Sequence, residues 1–213
     1  ADGGPTAGTI SAGDSLAAIE YLVFNKKILT MDQLLHACAT NFGDNTTTPT
    51  GRDIQLMMKN KAPKFGNDDD EADCWVVKIE EFVGSSLNLN YRSSKYGKGP
   101  VPCCMAYSQT PVTGNISFGS RIGATPDGRS AGSPVNNGVS PANGSERNGA
   151  TAACNSVGKI PTIWDQKGNI FNMRLAPSAI ATVEQRMNVI AMMRAFFDKD
   201  GEQIQFNVND SEV

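Results

Sequence analysis

Hydrophobic residues recur along this chain first at helical spacing and later in a mixture of helical and alternating spacing. Leu16, Ile19, Leu22 and Val23 fall on one side of a 3.6-residue repeat, which predicts a helix over residues 14–25 with Asp14 or Ser15 as its cap. Thr30 with Gln33 three residues on predicts a capping box opening a second helix. A short helix over 53–60 is expected to stop before Pro63. Asn67 then predicts an N-cap, and Asp68, Asp69, Asp70 and Glu71 load the first turn with charge that suits the positive end of the helix dipole. Trp75, Ile79, Phe82 and Val83 follow at i, i+4, i+7 and i+8, so they are expected to form one buried stripe. Residues 103–110, 116–118 and 170–175 read as strands, 149–157 as a packed helix of small residues. Thr182 with Gln185 predicts a last capped helix on which Arg186, Ile190, Met193 and Phe197 share a face. Residues 203–209 alternate strictly: Ile204, Phe206 and Val208 point one way, and Gln203, Gln205, Asn207 and Asn209 the other. A face of amides without charge suits a polar barrel interior better than a solvent surface, where lysine and glutamate dominate.

Between Gly119 and Gly149 the pattern breaks. Seven glycines, with Pro126, Pro134 and Pro141 among them, forbid a long helix or strand there. Loops longer than about 15 residues inside a compact protein are usually functional or tightly packed. Thr125-Pro126-Asp127-Gly128 reads as a turn, with proline setting φ and glycine free to take positive φ. No GxGxxG or P-loop spacing occurs in the stretch, which argues against a phosphate cradle. Helices alternating with strands place the chain in the α/β class, with strands partly lining a barrel.

Composition narrows this further. A hydrophobic content of 39% with 19% charged residues describes a globular chain with no signature of disorder. A formal net charge of -3 gives no reason to expect nucleic acid or an anionic membrane as partner. No apolar run approaches the roughly 20 residues that span a bilayer, and no signal peptide opens the sequence. A start at Ala1 without an initiator methionine is what a fragment or processed chain shows. Cys38, Cys74, Cys103, Cys104 and Cys154 are odd in number and scattered, without a CxxC, which argues against disulfides or zinc and for a reducing, cytoplasmic setting. His36 cannot build a metal cluster alone and is expected on a helix surface. The acidic run after Asn67 lacks the glycine and distal glutamate of a calcium loop, so helix capping accounts for it better than metal binding.

The glycine-rich stretch carries a resemblance. Gly123-Ala124-Thr125-Pro126-Asp127-Gly128-Arg129, then Gly138-Val139-Ser140-Pro141, then Asn148-Gly149-Ala150-Thr151-Ala152, resemble the C-terminal region of glycyl radical enzymes. Asp14-Ser15-Leu16-Ala17-Ala18-Ile19, Pro63-Lys64-Phe65-Gly66-Asn67-Asp68-Asp69 and Gln205-Phe206-Asn207-Val208 match the same superfamily in the same order, so the likeness covers essentially the whole chain. It implies the C-terminal half of a ten-stranded β/α barrel, with residues 1–213 as a single incomplete piece of it. It also implies an anaerobic enzyme that cleaves C–C, C–O or C–N bonds or dehydrates by radical chemistry. In that superfamily a glycyl radical is installed by an S-adenosylmethionine-dependent iron–sulfur activating enzyme and oxidises a cysteine on a facing loop. The alternatives within it are a fumarate-adding aryl- or alkylsuccinate synthase and a formate acetyltransferase. From another class, a non-catalytic half-barrel scaffold or binding protein competes.

Neither catalytic motif of the family is present: no cysteine here follows a glycine, as in Gly-Cys-x-Glu, and no Arg-Val-x-Gly-Tyr occurs. No catalytic residue and no directly bound cofactor or metal is therefore expected in this chain, which on its own is expected to be inactive and poorly soluble or molten. The adjacent pair Cys103 and Cys104 lies too close to the TPDGR turn to match the cysteine pair of pyruvate formate-lyase, and reads as part of a barrel strand. Thr110-Pro111-Val112-Thr113-Gly114-Asn115 resembles the Tyr-Pro-Val-Ser-x-Asn strand of the glycerol dehydratase type, whose tyrosine faces the cavity. By that likeness Thr110 and Val112 contact a small-molecule substrate, and threonine in place of the ring argues against glycerol or a diol and leaves room for a bulkier one. The expected partners are that substrate, the activating enzyme and a second copy in a full-length homodimer.

Overall fold

The computed structural model describes residues 3–93, 106–108, 114–164 and 168–209. Strand β1 (Gly3–Pro5) leads into helix α1 (Thr9–Ile19), which continues as a π-helical segment over Glu20–Asn25. Helices α2 (Met31–Ala39), α3 (Gly51–Asn60) and α4 (Asp70–Ser93) follow, then strand β2 (Ala106–Ser108) and helices α5 (Gly114–Gly119) and α6 (Ala150–Val157). The chain closes on strand β3 (Ile170–Leu175), helix α7 (Val183–Phe197) and strand β4 (Gln203–Val208). Both strand pairs, β1–β2 and β3–β4, are parallel. A parallel pair needs a crossover, and α7 supplies the one between β3 and β4, so the mixed α/β reading holds.

Two apolar clusters hold these elements. Ile10, Phe65, Val76, Val139, Phe171 and Phe196 belong to the first; Leu22, Leu34, Phe42, Ile54 and Met58 belong to the second. Helix α1 serves both, its start in one and its end in the other.

Capping was legible where it is local. Thr30 with Gln33 and Thr182 with Gln185 each form reciprocal capping boxes, and Thr50 with Asp53 adds a third, which starts α3 two residues before the expected position. Four other expectations need correction. Helix α1 begins at Thr9 behind Gly8, so Asp14 sits mid-helix and caps nothing. Its carboxylate instead accepts the Phe65 N–H at 2.8 Å. On α4 the buried positions include Ala72, Asp73, Val76 and Glu80, whereas Phe82 is 71% exposed. Close approach to α1 selects this face, since a Cβ on Gly13 would lie 2.4 Å from Val76 Cγ2. Asn67 is not the α4 cap; its amide donates to the carbonyls of Lys64 and Ser145 and its oxygen accepts the N–H groups of Arg147 and Asn148. Asp69 takes the cap role, accepting the Glu71 N–H on its side chain.

Residues 116–118 are helical in α5 rather than extended; an apolar run of that length carries no period. On α7 the buried side is Val189, Met192 and Phe196, while Arg186, Ile190 and Phe197 are exposed. Of residues 103–110, positions 106–108 form β2, and Cys103, Cys104, Thr110 and Val112 lie outside the described residues.

The long glycine-rich stretch is ordered by hydrogen bonds rather than by regular structure. Arg129 is buried and donates to the carbonyls of Ser130 (3.2 Å), Ser133 (2.6 Å) and Gly123 and to Thr125 Oγ1 (3.2 Å). One guanidinium thereby satisfies several loop groups at once. The Thr125–Gly128 turn closes with the Gly128 N–H on the Thr125 carbonyl at 2.9 Å, and Gly128 has φ +91°. A Cβ there would also lie 2.7 Å from Lys59 Cγ. Gly128→Ala is expected to destabilise the full-length protein by about 1 kcal/mol or more, read as a lowered melting midpoint. An unchanged midpoint would show that the turn tolerates a side chain.

Candidate functional site

The register of β3 on β4 sorts their side chains into two faces. Phe171 opposite Ile204 and Met173 opposite Phe206 pack into the core, while Asn172 pairs with Gln205 and Arg174 with Asn207 on the other side. The glycine-rich stretch adds a wall to this polar face. Gly138 bridges Phe171 antiparallel, the Val139 N–H donates to the Ile170 carbonyl at 3.0 Å, and Ser140 Oγ accepts the Asn172 N–H at 2.8 Å. Between loop, sheet and the start of α6 lies a cleft of about 580 Å³. Its polar lining includes Asn137, Ser140, Asn172, Arg174, Gln205 and Asn207. The volume falls within the usual range for small-molecule sites. Amides both donate and accept, so this wall can bind hydroxyl and carbonyl groups in several orientations.

The expected amide face of β4 thus fronts a cavity. Asn172, Arg174 and the loop residues Asn137, Ser140 and Glu146 were missed as lining residues. The alternation of 170–175 carried the signal for the first two; nothing local carried it for the loop. Thr110 and Val112 lie outside the described residues, while Asn115, which ends their motif, lines the cleft.

A second cavity of about 380 Å³ shares Pro141 and Asn143 with the first. Beside it three recognised motifs converge on buried charges. Lys64 Nζ donates to the Asp127 carbonyl at 2.8 Å, and the Asp127 N–H donates to Ser15 Oγ at 3.2 Å. Burial pushes the Asp14 carboxyl up to about 7, against the opposing pull of the Lys64 charge and the Phe65 N–H. Burial lowers Lys64 for the same reason, against Asp14 and Asp127.

The acidic run has a partner that no local pattern announced. Lys159 Nζ lies 2.9 Å from Asp68, 2.7 Å from Asp70 and 2.8 Å from Asp73. Asp73 also accepts Ser156 Oγ–H at 2.9 Å, and burial raises its pKa in spite of these contacts. Lys159 loses solvation as well, but the hydrogen bonds its ammonium donates to three carboxylates outweigh that and raise its pKa. Among the described residues, no group of three or more histidine, cysteine, aspartate or glutamate side chains is arranged to hold a metal ion. Burial pushes the thiols of Cys38 and Cys154 up to about 11, which leaves little thiolate at neutral pH. His36 is exposed on α2 and pairs with Asp44 at 2.7 Å.

Comparison with known proteins fits this arrangement. The sequence model of the pyruvate formate lyase-like family matches residues 2–112, more than half of the chain. The chain belongs to that family. A second model, described as glycine radical, matches residues 135–213. Trans-4-hydroxy-L-proline dehydratase of Clostridioides difficile is 38% identical over 97% of this chain and 24% of its own length. The probable dehydratase YbiW of Escherichia coli is 34% identical over 94% of this chain and 24% of its own. The glycerol-bound B12-independent glycerol dehydratase of Clostridium butyricum superposes with a TM-score of 0.85 at 35% identity, covering 98% of this chain and 25% of that one. The chain therefore spans about a quarter of the length of the relatives it matches, and its fold is that of part of the glycyl radical enzyme barrel. Among the described residues no helix is long and apolar enough to cross a membrane.

Proposed function

We propose that this chain supplies part of the substrate-cavity wall of a cytoplasmic, anaerobic glycyl radical enzyme of the lyase or dehydratase type. The observation that carries this reading is the amide face of β3 and β4 fronting a cleft of about 580 Å³ that the glycine-rich loop helps to wall. Relatives described as dehydratases and isethionate sulfite-lyases support the reaction class. The glycyl radical, installed by an activating enzyme, supplies the hydrogen-abstracting chemistry; this chain's own residues bind and orient the substrate and exclude water. Because neither motif of the radical loops occurs here, no catalytic step is assigned to a residue of this chain. Thr110 and Val112 are proposed to extend the wall preceding Asn115, and the full-length enzyme is proposed to work as a homodimer.

Kinetics of the activated full-length enzyme test the reading. Gln205→Ala and Asn207→Ala should each lower kcat/KM by about tenfold, the usual worth of a lost hydrogen bond in a site. In the same assay Thr110→Tyr should impair the native substrate more than a small diol, by about ten- to hundredfold through overpacking. Unaltered kcat/KM in both amide variants would place the cleft away from the substrate; equal effects of Thr110→Tyr on both substrates would turn that side chain outward. A scaffold without catalysis would show no turnover in any activated preparation.

A further inference from the structure

The charged groups at the two cavities are used differently. Around the smaller one, Lys64, Arg129 and Arg147 donate to backbone carbonyls, which commits those three charges to holding loops together, while Lys59 also lines it and, among the described residues, makes no hydrogen bond through its side chain. Around the larger cleft, Arg174 and Glu146 are the only charged side chains among the described lining residues. Arg174 comes from the sheet and Glu146 from the loop, and both are exposed. Among the described residues neither makes an ion pair or a hydrogen bond through its side chain. The remaining polar lining is neutral: amides and the Ser140 hydroxyl.

We infer that the cleft takes a small dipolar molecule, its carboxylate or comparable anionic group received by Arg174 and its ammonium by Glu146. This rests on the cleft being the substrate cavity. An unpaired guanidinium offers a planar fork that matches a carboxylate by two parallel hydrogen bonds. A free carboxylate elsewhere in the same cleft attracts a cation and repels a simple anion. A zwitterion neutralises both groups on closure. A monoanion leaves Glu146 uncompensated, a monocation leaves Arg174 so, and a neutral polyol leaves both, each at a cost in affinity. The amides of Asn172, Gln205 and Asn207 remain for hydroxyl groups on the rest of the molecule.

Four matched three-carbon probes separate these cases. Serine carries both charges; glycerate replaces its ammonium with hydroxyl, serinol replaces its carboxylate with hydroxymethyl, and glycerol has neither charge. Affinities for the full-length enzyme are to be measured by calorimetric competition. Serine should bind about tenfold or more tighter than glycerate or serinol, the range of a charge-assisted hydrogen bond. Arg174→Gln should erase the preference for serine over serinol, and Glu146→Gln the preference for serine over glycerate, each leaving the other preference in place. Glycerol binding weakened by Gln205→Ala, with no preference for serine, overturns the dipolar inference and leaves the cavity reading standing. A serine preference untouched by both charge variants also overturns it. Failure of all four probes to bind overturns inference and cavity together.

Discussion

Replacing Lys159 with methionine is expected to cost about 3–5 kcal/mol of stability, because it strands a carboxylate that cannot reach water. The three contacts of Lys159 are unequal. Asp70 is 91% exposed and Asp68 40%, so solvent screens both pairs and each contributes little. The Asp73 side chain is 1% exposed, and one of its oxygens has no hydrogen-bond partner even with Lys159 in place. Among the described residues, removing the ammonium leaves only the Ser156 hydroxyl to offset a buried negative charge. Denaturant titration of the full-length protein should show the loss, and adding Asp73→Asn to Lys159→Met should recover much of it by removing the charge. A loss below about 1 kcal/mol would mean the clasp behaves as an ordinary surface pair.

Asp14 should make stability fall as pH rises from about 4 to about 7. Its carboxyl keeps a proton in the folded protein up to about 7 but loses it near 3.8 when the chain unfolds. Between those values the folded state binds more protons, so each pH unit upward removes about 1.4 kcal/mol, on the order of 4 kcal/mol across the window. Below the window both states are protonated, and above it both are ionised, so the dependence flattens at each end. Asp14→Asn keeps the oxygen that accepts the Phe65 N–H and abolishes the titration. The stability of wild type relative to this variant, measured in steps from pH 4 to pH 8, should decline through the window. Parallel curves would show that Asp14 ionises as an exposed aspartate does.

Both effects arise from pairings distant in sequence, and this divides what could be read from the chain. The caps at Thr30 and Thr182, the turn at residues 125–128 and the alternation of β4 depend on neighbours within a few positions, where hydrogen-bond reach and side-chain period leave few alternatives. Those features, and the family resemblance built on them, were determined by the sequence alone. Tertiary contact decided where α1 begins and which face α4 buries, because Asp14 answers to Phe65 and Val76 to Gly13, not to their helix neighbours. It also turned the acidic run onto Lys159 and laid residues 138–140 beside β3, which is what makes a polar strand face into a cleft. A buried charge or an uncapped backbone group costs the same whichever partner satisfies it; only the assembled chain determines which partner is within reach.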